Sequence, residues 1–138
     1  MKTDKKARML VSESILRQLG TLEEIDLSPI HEECMGSDDL LAELITLYEK
    51  NALEFIGIGK ICLQTTDFYQ MGLAAHKMKA GLAMMQTYSL HSIVVQIENC
   101  CKNDRDAKHL QFLFDCFTVE YPLVKTAIDD AFKKLQKQ

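Results

Sequence analysis

The chain has 138 residues, 47% of them hydrophobic and 26% charged, with a formal net charge of −4. That is the size and make-up of one ordinary globular domain with a real core. An acidic balance without a basic stripe excludes a nucleic-acid binder as the working reading, and no apolar run approaches the ~20 residues that would insert in a membrane.

Residues 6–19 carry Met9, Val11, Ile15, Leu16 and Leu19 ahead of Gly20, which predicts a flanking N-terminal helical segment within residues 1–25. Residues 26–138 then read as one bundle domain. A short helix is expected after Leu27-Ser28-Pro29, because Ser then Pro is a common helix opening. The first long helix begins at Ser37 as N-cap, with Asp38 and Asp39 suiting the positive helix end. Its expected buried face is Leu40, Leu44, Leu47, Tyr48, Phe55 and Cys62, with a kink at Gly57 and Gly59. The next helix covers about 67–86. A turn at Thr87-Tyr88-Ser89 follows, with Ser89 as cap for a helix striped by Leu90, Ile93, Val94, Ile97, Cys100 and Cys101.

The polar turn Asn103-Asp104-Arg105-Asp106 leads into the last helix. Its apolar face runs through Leu110, Leu113, Phe114, Phe117, Tyr121, Val124, Ile128, Phe132 and Leu135, and Pro122 should bend it. Four long helices with short turns predict an all-α protein, an antiparallel up-down-up-down four-helix bundle with an added N-terminal helix. The beginning lacks a signal peptide's apolar stretch. The five cysteines are odd in number and include adjacent Cys100 and Cys101. Both features predict a reduced, cytoplasmic setting, with Cys62 and Cys116 as small core residues.

The most informative stretch is 74–85, Ala-Ala-His-Lys-Met-Lys-Ala-Gly-Leu-Ala-Met-Met. At about 100° per residue, Met71, Ala74, Ala75, Met78, Leu82 and Met85 share one side of a helix. Gly72, His76, Lys79, Ala80 and Ala83 share the other. His76 and Lys79 are three apart and therefore neighbours. An imidazole beside an ammonium group suits the capture of a phosphoryl group. From geometry alone a second reading stands level with this one: a buried helix whose small residues allow close packing around a core histidine.

The segment Ala75-His76-Lys77-Met78-Lys79-Ala80-Gly81 resembles the phosphorylation motif of histidine phosphotransfer (HPt) domains, in which Lys follows the His at the third position and Gly usually at the fourth. The resemblance extends over roughly residues 26–133. Leu40-Leu41-Ala42-Glu43-Leu44-Ile45-Thr46-Leu47-Tyr48 is similar to the family's second long helix. Thr66-Asp67-Phe68 resembles its aspartate-then-aromatic turn, and Ile97-Glu98 its third bundle helix. Ala80 departs from the pattern, since Gly is usual there.

The resemblance implies a phosphorelay intermediate. His76 would accept the phosphoryl group, Lys79 would balance its charge, and Gly72, Leu73, Ala80 and Ala83 would form the docking face. Partners would be receiver domains of response regulators or hybrid sensor histidine kinases, and the chain would act as a monomer. It would need no cofactor of its own, because the receiver supplies Mg²⁺. The alternative is a helical adaptor of the same fold that binds a receiver or kinase without carrying phosphate. Lys77 lies about 100° round the helix from His76 and reads as a solvated residue.

Other chemistries fit less well. There is no Walker loop for ATP, so a free-standing kinase is not expected. Met71, Met78 and Met85 lie on the core stripe away from His76, and no Cys-x-x-Cys-His is present, which argues against haem. No Cys/His cluster has zinc spacing. His31 is expected on an exposed turn, His91 off the apolar stripe and His109 just before the final helix.

Overall fold

A computed structural model describes residues 25–137. The predicted 6–19 helix, its Gly20 stop and nearly all of the 1–25 segment lie outside the described residues. Five α-helices follow in order: α1 Ser28–Glu33, α2 Asp38–Thr65, α3 Phe68–Met84, α4 Tyr88–Asn99 and α5 Ala107–Gln136. A π-helical turn, Cys100–Asp104, prolongs α4. The long helices α2 to α5 pack as α2 on α3, α3 on α4, α4 on α5 and α5 back on α2. Their short connections make sequential helices antiparallel neighbours, so the architecture is a four-helix bundle with α1 packed on α2. Among the described residues no helix is long and apolar enough to cross a membrane.

Each long helix starts on a side chain or turn that the sequence supplies. The Leu40 N–H donates to Ser37 Oγ at 3.1 Å, with Asp38 and Asp39 in the first turn of α2. The Gln70 N–H donates to Asp67 Oδ1 at 3.0 Å and so caps α3. Asp106 Oδ1 accepts from the N–H groups of both Lys108 and His109 at the start of α5. The short helix α1 opens at Ser28-Pro29, as expected, and the Ser28 N–H donates to Asp26 Oδ1. One capping expectation fails. Ser89 lies inside α4, where Thr87 holds the N-cap position, and its hydroxyl points into the core.

Helix ends are made without glycine at three places. Thr66, Gln86 and Arg105 adopt the left-handed conformation with φ of 51°, 58° and 46°. At the first two the chain turns back so that the Asp67 N–H reaches Cys62 O and the Thr87 N–H reaches Leu82 O. These reverse bonds satisfy carbonyls that a helix end would otherwise leave open.

The buried face of α2 differs from the expected one. Leu40 and Leu47 are 44% and 51% exposed, while Leu41, Ile45, Tyr48, Ala52, Phe55, Gly59 and Cys62 are buried. That set alternates steps of four and three, the spacing of a straight bundle seam. α2 runs unbroken as one helix through Gly57 and Gly59. Gly59 is there for room: a Cβ added to it would fall into the Phe114 ring. Phe114 and Phe117 pack on Phe55, the latter edge-on at 4.9 Å between centroids. α5 is likewise one helix through the exposed Pro122.

The stripes of α3 and α4 lie where the sequence puts them: Met71, Ala75, Met78, Leu82 and Met85 are buried and Ala74 half-buried, while Leu90, Ile93, Val94, Ile97, Cys100 and Cys101 are buried. Cys62 is also buried and Cys116 half-buried. Burial, with smaller contributions from nearby groups, pushes the Cys101 thiol up to about 12, which leaves it an inert core residue.

Candidate functional site

On α3 the core stripe faces inward, which turns His76 out, and its side chain is 65% exposed. The buried-histidine reading is therefore overturned by the orientation of the helix. Ala80 and Ala83 are exposed along the same face, and Leu73 is 45% exposed one turn before His76. Gly72 is placed differently. It is half-buried, and a Cβ added there would stand 3.3 Å from Cys101 Cβ, so it seats α3 against the π-turn. Lys77 lines a groove of about 220 Å³ between α2 and α3, beside Leu44, Leu47, Ile58 and Met84.

The residue that organises this face is Glu98 of α4, which is only 4% exposed. His76 Nδ1 lies 2.8 Å from its Oε2. Lys79 Nζ lies 2.7 Å from its Oε1, and Lys102 Nζ, from the π-turn, 3.3 Å from Oε2. So His76 and Lys79 do come together, through a carboxylate supplied by the neighbouring helix. The Lys79 hydrogen bond, opposed by burial and reinforced by His76 and Lys102, holds the Glu98 carboxyl down to about 2. Near neutral pH it is fully ionised.

The charge of Glu98 decides which imidazole nitrogen is available. A carboxylate only accepts hydrogen bonds, so Nδ1 must carry a proton to bond Oε2. In the neutral ring that leaves the lone pair on Nε2. The arrangement thus presents an oriented nitrogen nucleophile on an open helix face, with two ammonium groups nearby.

Glu98 enters the sequence pattern only as part of Ile97-Glu98 on the third bundle helix, and neither it nor Lys102 is among the expected site residues. A signal was available. Glu98 stands four residues after Val94 and three before Cys101, in line with the apolar stripe of its helix, where an acid needs a partner. The remaining histidines lie elsewhere. His31 is inside α1 rather than on an exposed turn, and its Nε2 contacts Asp38 Oδ1 at 2.8 Å. His91 is half-buried on α4. His109 is the third residue of α5, not a residue before it, and its ring stacks on Phe112. Among the described residues no group of three or more His, Cys, Asp or Glu side chains could hold a metal ion. Comparisons with protein-family models, curated proteins and solved structures found no match to this chain.

Proposed function

We propose that the chain is a histidine phosphotransfer protein, a cytoplasmic phosphorelay carrier that takes a phosphoryl group onto His76 Nε2 from an aspartyl phosphate of a receiver domain and yields it to another. The observation that carries this reading is the bond of His76 Nδ1 to the ionised Glu98, because it supplies the tautomer the reaction needs. The Nε2 lone pair attacks phosphorus and forms the N–P bond. The P–O bond to the receiver's aspartate breaks, and that carboxylate leaves with the electron pair. The Nδ1 proton stays on the ring, where the adjacent Glu98 charge stabilises the phosphoimidazolium that forms.

Positioning and charge account for most of such a transfer, and the receiver would bring the Mg²⁺ it requires. Lys79 adds positive charge to the site and, at 2.7 Å, fixes the carboxylate that orients the ring. Leu73, Ala80 and Ala83 leave a low surface around the imidazole for the partner's active-site rim.

The test is to mix the protein with a phosphorylated receiver and follow label on this chain. Acid-labile, base-stable label is expected on the wild type, as befits a phosphoramidate linkage, and none on His76→Gln. Far-UV circular dichroism and melting of that variant should stay close to the wild type, because the ring is exposed and a glutamine amide can still donate to Glu98. Label on His76→Gln at the wild-type rate would place the phosphate elsewhere and end the proposal.

A further inference from the structure

We propose that Lys102, not Lys79, is the side chain that meets the phosphoryl group on His76. This rests on the reading of His76 as phosphoryl acceptor and assigns the cation within that site. The two lysines differ in how they are held. Lys79 is 30% exposed and 2.7 Å from Glu98 Oε1, an oxygen to which His76 is not bonded. Lys102 is 63% exposed and 3.3 Å from Oε2, the oxygen that also accepts from His76 Nδ1. Lys102 therefore shares one carboxylate oxygen with the imidazole, through a long, solvent-facing contact, and Lys79 is committed to the other oxygen.

Charge balance points the same way. The permanently charged groups of the site are Glu98 of α4, Lys79 of α3 and Lys102 of the π-turn, and the nucleophilic form of His76 adds no charge. One carboxylate against two ammonium groups leaves one positive charge uncompensated. If Lys102 moves from Oε2 to a phosphoryl oxygen, Glu98 keeps both Lys79 and the Nδ1 proton, so no buried charge is left without a partner. If Lys79 moved instead, Oε1 of a buried carboxylate would lose the partner that bonds it. An exposed ion pair such as Lys102–Glu98 costs little to exchange.

The backbone places Lys102 for this. It sits in the π-helical turn Cys100–Asp104, where the Arg105 N–H closes on Cys100 O at 2.7 Å. Gly72 of α3 lies against Cys101 of that turn, which brings the turn's backbone close to the helix that carries His76. Single π-turns of this kind occur disproportionately at functional sites.

The experiment uses the whole chain, phosphorylated with the small-molecule donor phosphoramidate, and follows the ³¹P resonance of the phosphohistidine across pH. A nearby cation favours the dianion, so Lys102→Ala should raise the pH at which the phosphoryl group titrates by roughly half a unit, the scale of an exposed charge pair. Added salt should shrink that difference. Lys102→Arg should restore the wild-type titration. Lys79→Ala should move it less, while slowing the labelling step because Glu98 is no longer fixed. A phosphorylated Lys102→Ala that titrates like the wild type would overturn the inference. So would a Lys79→Ala shift as large as that of Lys102→Ala. Absence of label on the wild type, from both phosphoramidate and a phosphorylated receiver, would instead overturn the underlying reading of His76, and this inference with it.

Discussion

Among the described residues two glutamates lie inside the bundle, Glu98 on α4 at 4% exposure and Glu120 on α5 at 0%. The helices that carry them pack against each other. Around Glu98 stand His76, Lys79 and Lys102, and its carboxyl is held down to about 2. Around Glu120 stands one neutral donor: the Ser89 hydroxyl donates to Oε2 at 2.7 Å, and Oε1 has no hydrogen-bond partner among the described residues. Burial pushes the Glu120 carboxyl up, and Ser89 offsets this only in part. Similar burial therefore accompanies opposite shifts, because cations within bonding distance outweigh desolvation at one site and no such partner offsets it at the other. The first carboxyl can orient an imidazole and hold lysines. The second can do neither, and reads as a polar group fastening α4 to α5.

The largest effects should come from cutting the two carboxyls in turn. Glu98→Ala removes the acceptor that selects the His76 tautomer, so phosphoryl labelling should fall by roughly tenfold or more, the scale on which loss of an orienting partner acts. The fold should lose about 1–3 kcal/mol with the charged hydrogen bonds. Glu120→Gln should leave labelling intact, and melting at neutral pH should be unchanged or higher, since a carboxyl poorly compensated for burial becomes a neutral amide. Label kinetics and thermal melts on the two variants settle the contrast. Unaltered labelling of Glu98→Ala would remove the reason for treating that carboxylate as part of the site.

Acid titration sharpens the same contrast with smaller effects, and the signs are opposite. The folded-state value of Glu98 lies below its ordinary 4.5, so its contribution is fully present above that range and is lost as pH falls from there toward 2. For Glu120 the folded-state value is raised, so its charged form weighs against the fold at higher pH, and that burden lifts on acidification. Melting temperature followed from pH 7 to 2 should therefore fall less steeply for Glu98→Gln than for the wild type below pH 4.5. Any advantage of Glu120→Gln should vanish over the same descent. Parallel curves for wild type and Glu98→Gln would mean that the carboxylate has no net linkage to folding.

The bundle was largely legible in the sequence, and its misreadings have definite causes. The α3 and α4 stripes were plain because apolar residues recur at threes and fours against polar neighbours. On α2, Leu40, Leu41, Leu44, Ile45, Leu47 and Tyr48 offer two overlapping faces. The true seam also uses Ala52 and Gly59, which carry little hydrophobic signal. Gly59 looks like a helix breaker until Phe114, more than fifty positions away, explains it. The stops at Thr66, Gln86 and Arg105 use residue types that do not announce a left-handed turn. At the site, His76 and Lys79 were visible because they share one helix face. Glu98 and Lys102 reach them from another helix, through a contact that no local spacing encodes.

The smallest expected effect tests whether the two carboxyls are independent. Ser89 is 4% exposed, and its hydroxyl donates to Glu120 Oε2, so Ser89→Ala leaves a buried carboxyl with less compensation. Losing such a bond costs about 1–3 kcal/mol, while alanine in place of serine within a helix returns about 0.5 kcal/mol. A modest drop in melting temperature should result at neutral pH. The bond to Ser89 favours the ionised form of Glu120, so its removal should drive the carboxyl still higher. The deficit should then narrow as pH falls and Glu120 is protonated in both proteins. Phosphoryl labelling should not change, because neither Ser89 nor Glu120 contacts His76, Lys79 or Lys102. Were Ser89→Ala to depress labelling as Glu98→Ala does, the two glutamates would belong to one coupled network across α4. The charge state of Glu98 could then no longer be assigned to His76, Lys79 and Lys102 alone.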